Sequence, residues 1–193
     1  SLSTPLSGKH NVYNILSVAA LSHIMGINRD ILSRTSFGFK GIRRRLEFLK
    51  EIDGIMIVDD FAHHPTAVQA SINALKDRYP HRRLIAVFEP RSNTSRRNIF
   101  QEIYADSFNR ADIVLISEPP FMEKIPPDER FSSTRLVNDL RGRGLFAYYL
   151  PDVSKIIHYL MKIVRRGDIV LIMSNGAFDN IQFRLLRKLE GSD

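Results

Sequence analysis

The sequence predicts an α/β protein built on a doubly wound, mostly parallel sheet. Short apolar runs of strand length alternate with helix-like stretches between residues 55 and 189, which is typical of a parallel sheet covered by helices on both faces. Polar loops follow three of these runs directly, around Asp60, Arg91 and Asn175. Because the carboxyl ends of parallel strands share one edge of the sheet, where ligands bind in such folds, we expect these loops to form one functional edge.

The composition is that of a globular protein. The 193 residues are 44% hydrophobic and 25% charged, which argues against disorder, and this length fits one domain or one domain plus part of another. No apolar run approaches the roughly 18 residues of a membrane span, and the N-terminus lacks a secretion signal. The absence of cysteine excludes disulfides and thiolate metal sites. We therefore expect a cytoplasmic protein that does not bind membranes.

The basic charge does not by itself indicate a nucleic-acid partner. The formal net charge is +7 and the pI is near 9.9, and basic patches attract phosphates. The arginines, however, come in short scattered groups at the ends of apolar runs, without interleaved aromatic residues. This pattern favours solvated ends of secondary structure, so we expect no nucleic-acid partner.

Two helix-like stretches precede the predicted sheet. Apolar residues recur with helical spacing over residues 10–25, and Gly26 ends the run as a C-terminal cap does. A shorter stretch, residues 28–34, leads into the glycine-punctuated segment 37–41. We place a domain boundary at this segment, so that residues 1–40 and residues 41–193 belong to different domains.

The second part of the chain contains six predicted strands and five predicted helices. The strands cover residues 44–48, 55–58, 84–88, 113–116, 146–150 and 169–173, with a turn at Asp53 and Gly54 between the first two. The helices cover residues 66–78, residues 96–109, a stretch capped by Ser132 or Ser133 that reaches Leu140, a stretch between Asp152 as its cap and Gly167, and residues 178–189. Residues 118–129 are rich in proline and read as a loop.

The densest chemistry lies in residues 58–67, VDDFAHHPTA. Asp and His are both ligands of divalent metals, but the other histidines (His10, His23, His81, His158) are isolated in sequence, and we assign no metal site. Asp59 or His64 also suits the cap of a helix entered through Pro65. A third interpretation has the loop bind a nucleotide, with a carboxylate on the ribose and an imidazole near the base. The loop alone does not decide between these readings.

Residues 7–9, SGK, are similar to the end of a phosphate-binding P-loop. That loop requires an earlier glycine and a following Ser or Thr, whereas His10 follows here. We therefore predict no P-loop in this chain.

Three motifs in fixed order resemble the Mur ligase family, the ATP-dependent amide ligases of peptidoglycan synthesis. They are residues 8–14, GKHNVYN, residues 44–47, RRLE, and residues 59–66, DDFAHHPT. Residues 89–94, EPRSNT, and residues 173–176, MSNG, are most similar to the members that join the tripeptide L-Ala-γ-D-Glu-meso-diaminopimelate to UDP-N-acetylmuramate in peptidoglycan recycling. Members that add only L-alanine are the first alternative, and a non-catalytic nucleotide-binding α/β domain is another.

The resemblance implies a chain that is part of a longer enzyme. Family members have a domain for the UDP-sugar, a central ATPase domain and a C-terminal Rossmann-like domain. This chain resembles the end of the second (residues 1–40) and the whole of the third (residues 41–193). ATP and Mg²⁺ are the implied cofactors, with the P-loop and the metal ligands in the missing central domain. UDP-N-acetylmuramate, the tripeptide and the two preceding domains are the implied partners, and the fragment alone is predicted to be inactive.

The resemblance also implies which residues contact ATP. Asn11 and Asn14 match asparagines near adenine, and an amide both donates to and accepts from a purine edge. Arg45 matches a catalytic arginine near the phosphates, where a planar guanidinium suits phosphoryl oxygens. Asp60 matches an aspartate near the ribose, with His63 beside it.

The amine substrate is assigned to the later loops. Arg91, Ser92 and Asn93 match the loop nearest the incoming amine, and Asn175 lies in the loop after the last predicted strand. Because arginine holds a carboxylate with two parallel bonds, Arg91 is expected to read a carboxylate of the peptide.

Overall fold

A computed structural model describes residues 2–191 of the chain. One sheet of six strands forms its centre, with strand order β1-β2-β6-β3-β4-β5. The strands are β1 (Glu47–Ile52), β2 (Ile55–Asp60), β3 (Leu84–Phe88), β4 (Ile113–Ile116), β5 (Phe146–Tyr149) and β6 (Ile169–Met173). All neighbouring pairs from β2 to β5 are parallel, and β1 is antiparallel to β2. The predicted mostly parallel α/β fold is confirmed.

Helices cover both faces of this sheet. Residues 2–191 contain α1 (Lys9–Ile24), α2 (Arg29–Gly38), α3 (Pro65–Arg78), α4 (Gln101–Ser107), α5 (Ser133–Gly142), α6 (Val153–Ile163) and α7 (Ile181–Leu189), of which α3 to α7 cover the sheet. Helices α3, α4 and α5 pack on one face, and α6 and α7 pack on the other. The five-residue strand β3 shows why its apolar run is continuous: Leu84, Ala86 and Phe88 join the first core, while Ile85 and Val87 join the second.

The carboxyl ends of β2, β6 and β3 are neighbours. Met173, the last residue of β6, pairs with Asp60 of β2 on one side and with Phe88 of β3 on the other. The segments that follow these three strands, residues 61–64, 89–97 and 174–177, therefore meet at one edge of the sheet, which we call the rim. The prediction that the three polar loops share an edge is confirmed.

The first strand was predicted three residues too early. Residues 44–48 were expected to be extended, but β1 begins at Glu47, because Arg44 and Leu46 have left-handed backbone conformations with φ of 56° and 48°. Two hydrogen bonds hold this turn: the Arg44 N–H donates to Glu47 Oε2 at 2.7 Å, and the Leu46 N–H donates to Asp60 Oδ2 at 2.7 Å. Tertiary contacts thus override the strand-like sequence.

Two predicted helices also begin later than expected. The helix expected over residues 96–109 starts at Gln101, after a 3-10 turn. The helix expected from Phe178 starts at Ile181, because the backbone is left-handed at three consecutive residues, Phe178 to Asn180. Residues 118–129 are mostly loop with two 3-10 turns.

The predicted caps and turn are present. Asp152 accepts the Lys155 N–H at the start of α6, and Ser132, not Ser133, caps α5. His64, not Asp59, caps α3, which enters through Pro65 as expected. The β1–β2 turn has positive φ at both Asp53 and Gly54, as tight hairpins require.

Helices α1 and α2 lie outside the sheet layers. Helix α1 contacts α2 and α3, and much of its apolar surface is uncovered. The exposed apolar side chains on the two helices are Val12, Tyr13, Leu16, Val18, Leu21, Ile24, Ile31 and Phe37. So many exposed large apolar side chains on two helices favour an interaction surface. Within the described residues, no helix is both long and apolar enough to cross a membrane.

Candidate functional site

A cleft of about 790 Å³ lies where α1 and α2 face the segment before β1, the carboxyl end of β2 and the start of α3. Asn11, Asn14, Arg45 and Asp60 all line it. Apolar side chains contribute most of the remaining wall: Leu6, Ile15, Val18, Leu32, Phe39, Ile42, Ala67 and Ala70. Its volume and its apolar wall with a few polar groups are typical of small-molecule sites. Four of the five residues predicted to contact a nucleotide therefore surround one cavity.

The two asparagines stand at the start of α1. Gly8, with φ of 98°, precedes the helix, and a side chain there would lie 2.9 Å from the Ala74 Cβ, so glycine permits the close approach to α3. The Asn11 Nδ2 donates to the Ser7 carbonyl at 2.7 Å, which leaves its amide oxygen for a ligand. Asn14 is one turn further along and makes no side-chain hydrogen bond within residues 2–191. Both side chains thus have unused hydrogen-bonding groups in the cleft.

Asp60 is buried at the end of β2. Its Oδ1 accepts the Ala62 N–H at 2.6 Å and its Oδ2 accepts the Leu46 N–H at 2.7 Å. Burial raises the pKa of the carboxyl above its usual value, and these backbone bonds together with the charge of Arg45 oppose that rise. Each oxygen retains a lone pair. Asp60 therefore holds the turn before β1 and still presents an acceptor to the cleft.

Arg45 is exposed beside Phe61. Its guanidinium lies 5.5 Å from the centroid of the Phe61 ring, and the Arg44 guanidinium lies at the same distance from that centroid, within the range of cation–π attraction. No residue of the described chain accepts a hydrogen bond from the Arg45 side chain. Its five N–H donors are free to meet an anion in the cleft.

His63 is absent from the cleft wall. Its Nδ1 lies 2.9 Å from the Phe61 carbonyl oxygen, its ring packs edge-on against Phe61, and its own carbonyl accepts the Tyr104 hydroxyl. These contacts turn the imidazole toward its own loop. The expectation that it lies beside the nucleotide stays a prediction.

A second cluster of polar groups lies on the rim, around Arg91. Its guanidinium donates to Glu89 Oε1 at 3.3 Å and lies 5.6 Å from the centroid of the Phe121 ring. Its side chain also crosses Gly176, where an added Cβ would come within 2.1 Å of the Arg91 Cδ. The neighbouring Asn175 has a buried Oδ1 without a hydrogen-bond donor among the described residues. Arg91 and Asn175 are thus brought together.

The other two predicted substrate residues are engaged within their own loop. Ser92 Oγ accepts the Ser95 N–H at 3.0 Å, and Asn93 Oδ1 accepts from Arg96 at 2.6 Å. These bonds shape the turn after β3. The side chains of Ser92 and Asn93 thus support the loop, and their contact with the amine substrate stays a prediction.

Two residues that were not predicted as site residues contribute to the rim, Arg44 from the turn before β1 and Glu89 from the segment after β3. Arg44 donates to the carbonyl oxygens of Ser174 and Gly176 at 2.6 and 2.7 Å and pairs with Asp59 at 3.4 Å. Glu89 is buried at the end of β3 and accepts the Ser174 hydroxyl at 2.5 Å. Arg44 could have been predicted because it lies next to Arg45 in the motif RRLE. The signal for Glu89 was a single acidic residue directly after a buried strand.

The fold is an α/β domain, and both candidate sites lie at the carboxyl edge of its mostly parallel sheet, where domains of this class bind ligands. Residues 44–176 match the family described as "Mur ligase, glutamate ligase domain". The match covers more than half of the chain, which therefore belongs to the Mur ligase family.

Individual relatives are similar over nearly the whole chain. UDP-N-acetylmuramate–L-alanine ligase of Caldanaerobacter subterraneus is 34% identical over 89% of this chain and 36% of its own length. The solved murein peptide ligase of Psychrobacter arcticus is 32% identical, with a TM-score of 0.72, over 97% of this chain and 38% of that one. The solved UDP-N-acetylmuramate–alanine ligase of Thermotoga maritima shares the fold, with a TM-score of 0.79 at 20% identity over 100% of this chain and 40% of that one. The chain thus spans less than half the length of these relatives.

Proposed function

We propose that this chain is the C-terminal part of an ATP-dependent amide ligase that joins L-Ala-γ-D-Glu-meso-diaminopimelate to UDP-N-acetylmuramate. Residues 1–40 are then the end of its central ATP-binding domain, and residues 41–193 are its C-terminal domain. The observation that carries the proposal is the continuity of the two sites: the Arg44–Arg45 turn lines the cleft on one side and bonds to the rim on the other.

The cleft is suited to ATP. The amide groups of Asn11 and Asn14 match the mixed donors and acceptors of adenine. The free carboxylate lone pairs of Asp60 accept hydrogen bonds from ribose hydroxyls. Within residues 2–191 no group accepts a hydrogen bond from the Arg45 guanidinium, which packs against the Phe61 ring and can provide charge-assisted bonds to phosphoryl oxygens.

The proposed reaction begins with transfer of the γ-phosphoryl group from ATP to the lactyl carboxylate of UDP-N-acetylmuramate, which gives ADP and an acyl phosphate. The amine of the tripeptide attacks the acyl carbon, the tetrahedral intermediate collapses with loss of inorganic phosphate, and the amine proton passes to solvent. Such chemistry depends on positioning and on neutralising phosphoryl charge. Arg45 contributes neutralisation, and the rim positions the amine substrate.

Magnesium does not fit the described residues. Within residues 2–191, no three His, Asp or Glu side chains come together in a way that could hold a metal ion. Mg²⁺ supplies charge neutralisation in phosphoryl transfer, and we place its ligands in the preceding central domain. The exposed apolar side chains of α1 and α2 support such a domain, because a packed neighbour would remove them from water.

Arg91 and Asn175 are the residues that we propose recognise the peptide substrate. The tripeptide carries several carboxylates, and the Arg91 guanidinium keeps donors beyond the one that meets Glu89. The unpaired Asn175 Oδ1 is an acceptor for an N–H of the substrate. The rim therefore offers both a cation for a carboxylate and an acceptor for an amide or amine.

L-alanine ligation is the second candidate function. It is favoured by relatives of that name at 34% identity, whereas the murein peptide ligase structure is 32% identical. These identities do not separate the two substrates. A third candidate is nucleotide binding without catalysis. Within residues 2–191, no contact in the cleft or on the rim supports it over ligation.

The test is a phosphate-release assay on the full-length protein with ATP, Mg²⁺ and UDP-N-acetylmuramate. The tripeptide and L-alanine are supplied in separate reactions, and Arg45→Ala serves as the inactive control. We expect kcat/KM to be higher for the tripeptide. A preference for L-alanine selects the second candidate, and ATP binding without ligation of either amine selects the third.

A further inference from the structure

Glu89 has an unusual position for an acidic residue. It is 6% exposed, at the end of the fully buried strand β3, and its backbone N–H continues the sheet by donating to the Met173 carbonyl at 3.0 Å. One carboxylate oxygen accepts the Ser174 hydroxyl and the other accepts from Arg91. A carboxylate is rarely buried unless it is paired, and here both oxygens are used.

The contacts of Glu89 lead to Arg91, a partly exposed cation of the rim. The Arg91 guanidinium donates a hydrogen bond to Glu89, and its side chain packs against the backbone of Gly176, which has no side chain in the way. The turn that carries Gly176 is itself fixed, because Ser174 Oγ accepts the Gly176 N–H at 2.9 Å and Arg44 bonds to both flanking carbonyl oxygens. Arg91 is therefore confined to one place on the rim.

We propose that Glu89 is a positioning residue for peptide recognition, which aims the Arg91 guanidinium at a carboxylate of the amine substrate. The inference rests on the proposed function, since it concerns the site that binds the peptide. Glu89 does not touch the substrate. It acts through Arg91.

Physical reasoning supports a positioning role over a purely structural one. A long arginine side chain loses conformational freedom when it binds, and holding it in place beforehand lowers that cost. Burial raises the pKa of Glu89 above its usual value despite Ser174, Arg91 and Arg44, so the ionised carboxylate is unfavourable for the folded state. An uncharged residue would fill this place at lower cost if packing were its only role. The negative charge of Glu89 therefore points to a role in holding the Arg91 guanidinium.

Two substitutions separate the contributions of charge and space. Glu89→Gln preserves shape but removes the charge that holds Arg91. Gly176→Ala leaves Glu89 intact and displaces the Arg91 side chain, since the new Cβ would lie 2.1 Å from Cδ and 2.2 Å from Nε. The φ angle of Gly176 is not in the left-handed range, so alanine introduces no backbone strain there. Glu102→Gln is the matched control, because Glu102 is an exposed glutamate paired with Arg135 on another part of the surface.

The experiment measures KM for the tripeptide, ATP and UDP-N-acetylmuramate, together with kcat, in the full-length protein. We expect Glu89→Gln and Gly176→Ala each to raise the tripeptide KM about tenfold or more, the size expected for one charged hydrogen bond, with the other two KM values within about twofold of wild type. Glu102→Gln should match wild type for all three substrates.

Two results would overturn the inference. One is a wild-type tripeptide KM in both variants. The other is an equal change in all three KM values, which would assign Glu89 to general structure. If Glu89→Gln does not fold, Gly176→Ala decides alone. A wild-type enzyme that does not ligate the tripeptide refutes the proposed function instead, so the two failures are distinguishable.

Discussion

Arg44 donates a 2.7 Å hydrogen bond to the carbonyl oxygen of Gly176, a residue 132 positions further along the chain. The same nitrogen meets the Ser174 carbonyl, and the Arg44 backbone is left-handed with φ of 56°. Arginine is disfavoured in that conformation by roughly 1–2 kcal/mol. Its side-chain contacts therefore outweigh the backbone strain at this position.

Substitution of Arg44 separates these two effects. Arg44→Ala should lower the free energy of unfolding of the 193-residue chain by about 1.5–3 kcal/mol, because charged hydrogen bonds are lost, while the strain remains. Arg44→Gly loses the same bonds but removes the strain, so it should be less destabilising than Arg44→Ala. Urea unfolding of both variants measures the difference. If glycine is the more destabilising residue, the strain is not present in solution.

Asp60 should contribute to both stability and nucleotide binding. Asp60→Ala leaves the N–H groups of Leu46 and Ala62 without their acceptor, and an unsatisfied buried donor costs about 1–3 kcal/mol. We expect a loss of this size in urea unfolding and a higher KM for ATP in the full-length protein. Asp77→Ala is the control, since Asp77 is an exposed partner of Arg110. An unchanged ATP KM would leave Asp60 with a structural role only.

The stability of the chain should depend on the ionisation of Glu89. Its folded-state pKa is raised above the usual value of 4.5, so the folded state binds a proton more tightly than the unfolded state. The contribution of Glu89 to stability is then highest below about pH 4.5 and falls as the pH rises through the folded pKa. The Glu89→Gln variant lacks this loss, and its melting temperature should equal or exceed that of wild type at pH 7.

The pH series supplies the check on that prediction. The advantage of Glu89→Gln over wild type should shrink as the pH falls from 7 toward 4.5. A variant that melts far below wild type at pH 7 would show that the ionised carboxylate stabilises the fold, contrary to the direction of the pKa shift.

Arg91→Lys tests carboxylate recognition on the rim. Lysine keeps the charge but loses the planar fork that holds a carboxylate with two bonds, so the full-length enzyme should show a higher tripeptide KM with nearly unchanged values for ATP and UDP-N-acetylmuramate. Steady-state kinetics with each substrate varied in turn provide the measurement. Equal effects on the three substrates, or none on the tripeptide, would remove Arg91 from the recognition site.

Local sequence predicted the buried strands and the Asp53–Gly54 turn well, but not the turn before β1. The runs at residues 84–88, 113–116 and 169–173 coincide with β3, β4 and β6, because continuous apolar residues bounded by polar loops permit little else. The start of β1 was wrong, since the conformation of Arg44 and Leu46 is set by contacts with Glu47 and Asp60. Such contacts leave no periodic signal.

The candidate site was predictable where a motif carried it. Asn11, Asn14, Arg45 and Asp60 were taken from the family resemblance and line one cleft. Glu89 was overlooked because a lone glutamate before a proline is ordinarily solvated. Its burial depends on the pairing of β3 with β6 and on Ser174, which lies 85 positions away.

The strand order has a consequence for the biosynthesis of this domain. The last strand to leave the ribosome, β6, occupies a central position between β2 and β3, and neither of these can pair with the other without it. Pairings between distant segments are slow to form because loop-closure entropy must be overcome first. We therefore expect the facing edges of β2 and β3 to stay unpaired in the nascent chain until β6 has emerged. Insertion of β6 then brings the carboxyl ends of β2, β6 and β3 into register, and with them the three segments of the rim.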